Sequence, residues 1–196
     1  MEIEVKFSLH HLEDLRVRLI SMGATLESAR HLERNIRFDT PDRELAGQKH
    51  VLRLRQYHRA TLTYKRPHGP VESRDEYEVE IDDFSTGYEL LNALGYTATA
   101  IYEKIRETYR IDPFLVMLDE LPIGFFIEIE GPSMESIQQM SARLGLPWER
   151  RVQATYLDLF LRAGNALALE LDEFTFDKFE GFAPINPELL GIQNID

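Results

Sequence analysis

The first seven residues carry the clearest chemical signal in the chain. After Met1, the run Glu2-Ile3-Glu4-Val5-Lys6-Phe7 alternates charged and apolar side chains without a break. A strand sends successive side chains to opposite faces. Glu2, Glu4 and Lys6 therefore share one face, and Ile3, Val5 and Phe7 share the other. Same-face neighbours lie roughly 7 Å apart, where two ionised carboxylates repel by about 2 kcal/mol at an effective dielectric of about 20. In water that cost is trivial. In a confined site the pair needs a cation.

The pattern returns on later segments. One polar face carries Arg53 and Arg55, and the next carries Thr61, Thr63 and Lys65. Arg74, Glu76, Glu78 and Glu80 form a third, and Lys104, Arg106, Thr108 and Arg110 a fourth. Asp119 ends the following segment, and Glu128 and Glu130 lie on the last. The opposite faces are apolar, as in Leu52 and Leu54, Tyr77, Val79 and Ile81, or Ile127 and Ile129.

Two arrangements accommodate such strands. In one, helices cover the apolar face of an open sheet and the charged face meets water. In the other, the sheet curls on itself, the charged faces line a tunnel, and helices cover the apolar exterior. Two features favour the tunnel. The polar faces hold Glu, Arg and Lys almost without Ser, Asn or Gln, and the signs are grouped by strand. Charges in a tunnel must be compensated. Arg and Lys suit phosphate oxygens, Arg binding two at once. Paired carboxylates suit Mg²⁺ or Mn²⁺. A polyphosphate with its metals satisfies both sets.

The elements that must carry these side chains read as follows. Residues 2–8 form a strand, and 10–22 a helix through Leu12, Leu15, Leu19 and Met22, closed by Gly23. A short strand spans 34–39, with a turn at Thr40-Pro41-Asp42. Residues 50–57 and 60–66 form a hairpin, His68-Gly69-Pro70 a loop, and 74–82 a strand. Helices are expected at 87–94, 133–144 and 152–163, with strands at 101–111, 114–119 and 124–131. The fold class is α+β: an eight-stranded antiparallel closed β-barrel with flanking helices. The tail holds an apolar run at 166–171 and a stretch with Phe174, Phe176, Phe179 and Phe182, expected to pack in a core or interface.

Composition narrows the function. The 196 residues suffice for one good-sized domain, and 43% hydrophobic content supports a core. A net charge of −12 argues against general nucleic-acid binding but leaves room for a local basic interior. No apolar stretch is long enough to span a membrane. No basic-then-apolar leader opens the chain, and Cys is absent, so a cytoplasmic location is expected and thiolate metal sites are excluded. The six His lack ligand spacing, and no Gly-rich phosphate loop occurs. Trp148, after Pro147, reads as a packing residue.

The ordered set of motifs resembles the CYTH family, the triphosphate tunnel metalloenzymes. Glu2-x-Glu4-x-Lys6 is similar to its ExExK signature. Phe38-Asp39-Thr40-Pro41-Asp42, Leu52-Arg53-Leu54-Arg55 and Leu62-Thr63-Tyr64-Lys65 follow in the family's order. So do Arg74-Asp75-Glu76-Tyr77-Glu78, Glu103-Lys104-Ile105-Arg106, Asp119 and Glu128-Ile129-Glu130-Gly131. Ala154-Thr155-Tyr156-Leu157-Asp158-Leu159 resembles a segment of the class IV adenylyl cyclase-like branch. The family also includes thiamine triphosphatases and inorganic triphosphatases.

The resemblance covers residues 1–163 and implies a tunnel domain over 1–164. A C-terminal extension at 165–196 would cap a tunnel mouth, pack on the barrel or support a homodimer. Lys6, Arg53, Arg55, Lys65, Lys104 and Arg106 would grip a triphosphate. Glu2, Glu4, Asp119, Glu128 and Glu130 would hold Mg²⁺ or Mn²⁺. Arg74, Glu76, Glu78 and Glu80 would line the wall, and no catalytic base is marked. The implied enzyme hydrolyses inorganic triphosphate or an organic one such as thiamine triphosphate, or cyclises ATP to cyclic AMP. The alternative is a non-catalytic binder of polyphosphate or a phosphorylated ligand, which would not need five acidic metal candidates.

Overall fold

The computed structural model describes residues 2–69, 73–168 and 172–195. The loop expected at 68–70 and the apolar run at 166–171 extend beyond these bounds.

The chain runs β1 (Glu2–Leu9), α1 (Glu13–Ser21), β2 (Thr25–Asp39), α2 (Glu44–Gly47), β3 (Val51–Gln56), β4 (Ala60–Pro67) and β5 (Ser73–Ile81). It continues through α3 (Phe84–Ala93), β6 (Thr97–Ile111), β7 (Phe114–Leu121), β8 (Gly124–Glu130), α4 (Met134–Arg143) and α5 (Tyr156–Ala166). Two short strands, β9 (Glu173–Phe174) and β10 (Asn194–Ile195), follow in the tail.

Eight strands close into a ring in the order β1-β5-β4-β3-β2-β6-β7-β8, every neighbour antiparallel. The closing seam is β1 on β8, from Glu4 opposite Glu130 to Leu9 opposite Phe125. The other junction of β1 is short, with Glu2 opposite Arg74 and Ile3 opposite Ser73. The expected α+β ring of eight strands is therefore present.

Period-2 alternation turns the apolar faces outward, where helices cover most of them. α1 and α4 pack over β1, β7 and β8, burying Val5, Phe7, Leu19, Ile127, Ile129, Ile137 and Met140. α3 covers Ile36, Phe38, Leu52 and Leu54 with Leu91. Exceptions are Tyr77 and Val79 on β5 and Leu26 and Leu32 on β2, which stay exposed.

A third cluster is different in kind. Ala100, Tyr102, Leu121 and Phe126 lie on the inward-facing parity of β6, β7 and β8, yet they pack with Tyr156, Leu159, Phe160 and Phe174. α5 and the tail thus fill one end of the ring with apolar side chains. β9 pairs with β6, β10 pairs with β1, and Phe174 stacks on Phe160 with centroids 4.9 Å apart.

Several elements differ from the sequence expectation: α1 begins at Glu13 rather than 10, β6 at Thr97 rather than 101, and the short α2 was not expected. β2 is 15 residues long, beginning at Thr25, where only 34–39 was legible. Its register against β6 shifts between Leu26 and Ser28 and again between Ser28 and His31, so the alternation fails there. α3 begins at Phe84 because Asp83 caps it, accepting from the Thr86 N–H. α5 begins at Tyr156, not 152, because Thr155 and Asp158 form a capping box. Residues just before it are extended, and the Val152 N–H donates to the Lys6 carbonyl at 2.7 Å.

Among the described residues no helix is long and apolar enough to cross a membrane. The Phe160 ring is wholly buried in the plug. Phe160→Ala should lower unfolding free energy by about 3–5 kcal/mol in a denaturant titration. A loss under 1 kcal/mol would show that the plug is not part of the cooperative core.

Candidate functional site

The inward faces enclose a cavity of about 600 Å³. Nine Lys and Arg side chains and eight Glu side chains line it. The lumen is close to charge balance, so the net −12 of the chain resides on its exterior.

All six expected triphosphate-binding cations line this cavity: Lys6, Arg53, Arg55, Lys65, Lys104 and Arg106. Of the expected metal ligands, Glu2, Glu4, Glu128 and Glu130 do so, and Arg74, Glu76 and Glu78 share the wall. Two expected residues are placed otherwise. Glu80 is exposed beyond the lining, paired with Arg59 at 2.7 Å, because the β5 alternation carries it past the rim. Asp119 keeps its inward parity but is fully buried behind the wall. Its carboxylate accepts from Arg106 at 2.6 and 2.7 Å, from Lys104 at 3.3 Å and from the Tyr156 hydroxyl at 2.7 Å.

Ion pairs cross between strands close together in the ring, several of them far apart in sequence. Lys6 Nζ lies 2.6 Å from Glu128 Oε1, and Lys65 Nζ lies 2.6 Å from Glu2 and 3.0 Å from Glu76. Arg106 also bonds Glu128. Arg55 pairs with Glu78 at 2.9 Å and reaches Glu33 at 3.7 Å, while Lys104 reaches Glu33 at 3.6 Å. Arg53 donates to Thr63 Oγ1 at 3.2 Å.

The charges separate into sectors. Around Glu128 and Glu33 the cations win. Burial opposes ionisation, but Lys6, Arg106 and Lys104 hold Glu128 well below the usual carboxylate range. Against similar burial, Lys104, His31, Arg106 and Arg55 hold Glu33 well below that range too. Near Glu2, Glu4 and Glu130 the anions crowd. Burial and the carboxylates of Glu128 and Glu2 push Glu4 up, and burial with Glu2 and Glu4 pushes Glu130 up. Burial and Glu76 raise Glu2 against the pull of Lys65. In a third sector the cations crowd. Burial, Arg53 and Arg74 lower the Arg37 guanidinium. Burial would raise the Tyr102 phenol, yet Arg53, Arg37 and Lys104 bring it below its ordinary value.

Sequence reasoning missed several lining residues. Glu27 and His31 lie where the register of β2 shifts and broken alternation hid them, and Glu33 follows in the regular stretch just after. Arg37 sits within the legible 34–39 strand, two positions from Asn35 on the same inward face. Tyr102 shares the parity of Lys104 and Arg106 and was reachable by extending that alternation upstream. Tyr156 enters from α5, which no strand pattern reveals.

The chain belongs to the CYTH domain family, which matches residues 1–144. It is 27% identical over 155 residues to the adenylate cyclase CyaB of Aeromonas hydrophila, covering 74% of this chain and 81% of that protein. The PH1012 protein of Pyrococcus horikoshii OT3 is 25% identical with a TM-score of 0.71, covering 81% of this chain and 98% of that one. The Hippeastrum protein HpAC1, described as revealing a dominant triphosphatase activity, shares the fold at 21% identity. Its TM-score is 0.61, and the match covers 87% of this chain and 98% of that one.

The sectors predict opposite pH dependences. Glu33 has a lowered folded-state pKa, so its stabilisation exists above the ordinary carboxylate value of 4.5 and is lost as pH falls through the folded value. Glu33→Gln should melt below wild type at pH 7, with the gap closing in acid. Glu130 has a raised pKa, so its contribution is favourable below 4.5 and lost as pH rises through the folded value. Glu130→Gln should melt above wild type at pH 8, with the gap closing in acid. Thermal melts across pH check both signs, and equal signs would contradict the sector assignment.

Proposed function

We propose that this chain is a divalent-metal-dependent enzyme that acts on a triphosphate held in the lumen. One observation carries the reading. Cationic side chains from β1 through β6 converge on a shared enclosed face, while surplus carboxylates gather on β1 and β8. A short polyphosphate matches the first set, and a metal bound to it matches the second.

Lys6, Arg53, Arg55, Lys65, Lys104 and Arg106 grip the phosphate oxygens. Each guanidinium offers two donors in a fork, and each ammonium a compact charge. Arg37, which lines the same cavity, adds a further cation. Asp119 acts from behind, fixing Arg106, Lys104 and Tyr156 in place. These donors are positioned before the reaction, so charge that grows on the phosphate oxygens meets them without reorganisation.

The donor set fits Mg²⁺ or Mn²⁺, since every candidate ligand is a carboxylate and burial with neighbouring carboxylates raises Glu2, Glu4 and Glu130. No three carboxylates yet converge on one point among the described residues, because Lys65 and Lys6 are interposed at Glu2 and Glu128. A metal held by Glu2, Glu4, Glu128 and Glu130 would neutralise phosphate charge and polarise the bond to be broken.

Water attacking the terminal phosphorus releases phosphate. The ribose 3′-hydroxyl of ATP attacking the α-phosphorus gives cyclic AMP and pyrophosphate. One cradle serves both, and the relatives' names divide in the same way. A passive binder of polyphosphate would use the basic wall and leave the anionic cluster without a role.

The test is a panel of inorganic triphosphate, ATP and thiamine triphosphate with Mg²⁺ or Mn²⁺, quantifying phosphate and cyclic AMP. Turnover of at least one substrate is expected, and binding without turnover in any metal would support the passive binder. Lys65→Ala and Arg53→Ala should each weaken triphosphate binding by about 10–100-fold, the range for a lost charged hydrogen bond. Glu128→Gln should raise the metal concentration needed for half-maximal rate. Unchanged kinetics in all three would contradict the site.

A further inference from the structure

The turn between β3 and β4 stands at the open rim of the lumen. Tyr57 and Arg59 from this turn line the cavity, together with His31 from the irregular part of β2. They form an aromatic cluster with His58. The rings of His31 and Tyr57 lie 5.3 Å apart, and those of His31 and His58 also 5.3 Å. Two guanidiniums flank the Tyr57 ring, Arg55 at 5.2 Å and Arg59 at 5.4 Å.

We propose that this rim is a stacking site for a planar heteroaromatic ring carried on the triphosphate, with Tyr57 as its platform. The proposal rests on the tunnel reading above and adds the organic part of the substrate. Three observations support it. Arg55 belongs to the cationic wall and also touches the Tyr57 ring, so a phosphate chain at Arg55 places its ester substituent beside that ring. The opposite end of the lumen is filled by the apolar plug of α5 and the tail, which directs a substituent toward the rim. The cluster is also held in place from below. His31 donates from Nδ1 to the Ala29 carbonyl at 2.7 Å, and its Nε2 lies 3.4 Å from Glu33.

A purely structural role would need less. The backbone bond from Tyr57 N–H to the Arg59 carbonyl, at 3.0 Å, already closes the turn. Neither that turn nor its cation requires a third ring from β2. An aromatic face next to guanidinium groups is the usual platform for nucleobases and similar rings, because each such ring offers a π-face.

The experiment compares ATP, thiamine triphosphate and inorganic triphosphate on wild type, Tyr57→Leu and Tyr57→Phe, with Mn²⁺ present. Tyr57→Leu should raise KM for a ring-bearing substrate about tenfold and change KM for inorganic triphosphate less than twofold. Tyr57→Phe, which keeps the ring, should stay near wild type. ATP and thiamine triphosphate then tell which ring the site takes. An equal rise for inorganic triphosphate, or no rise for either ring-bearing substrate, would overturn the stacking site alone. Failure of wild type to bind inorganic triphosphate would instead remove the tunnel reading and the stacking site with it.

Discussion

Mutual compensation of enclosed charge is the constraint on which this structure depends. An isolated carboxylate or ammonium out of water is very costly, and a pair is tolerated only with good geometry and further hydrogen bonds. Here the pairs span strands that the chain does not place next to each other in sequence. Lys6 meets Glu128, Lys65 meets Glu2, and Lys104 meets Glu33. Lys6 and Glu128 meet because the ring closes at β1 on β8, and Lys65 and Glu2 because β5 joins β4 to β1. With the ring opened along that seam, Lys6 and Glu128 would lie on opposite edges of a flat sheet.

Compensation is local in some places and incomplete in others, and the incompleteness is where chemistry is expected. Asp119 is saturated by four donor contacts and serves as an anchor. Glu2, Glu4 and Glu130 carry too much negative charge for their surroundings, and Arg37 too much positive. A ligand that is itself anionic along its length and accompanied by a cation relieves both. The apolar plug sets the direction of entry. By packing Phe126, Tyr156 and Phe160 into one end, the chain leaves the rim near the β3–β4 turn as the way in.

Much of this was legible from alternation, and the exceptions have physical causes. β1, β3, β4, β5 and β8 keep strict period 2, so their inward residues were assigned from spacing alone. β2 does not. Its register shifts break the pattern at Glu27 to His31, and Glu33 went unnoticed beside them. Parity also says which way a side chain points, not how deep it lies. Asp119 and Glu80 share the inward parity of their strands, yet one is sealed behind Tyr156 and the other reaches solvent. The plug was invisible for a similar reason. Ala100, Leu121 and Phe126 interrupt charged faces with apolar residues, a sign of contact with another element that strand periodicity cannot name.

The most direct test of the central claim is crystallographic: the protein soaked with inorganic triphosphate and Mn²⁺, with anomalous scattering to find the metal. The account predicts phosphate density against Arg53, Lys65 and Arg106 inside the ring, and an anomalous peak beside Glu2, Glu4 and Glu130. Triphosphate bound only on the outer surface, with an empty lumen, would contradict it.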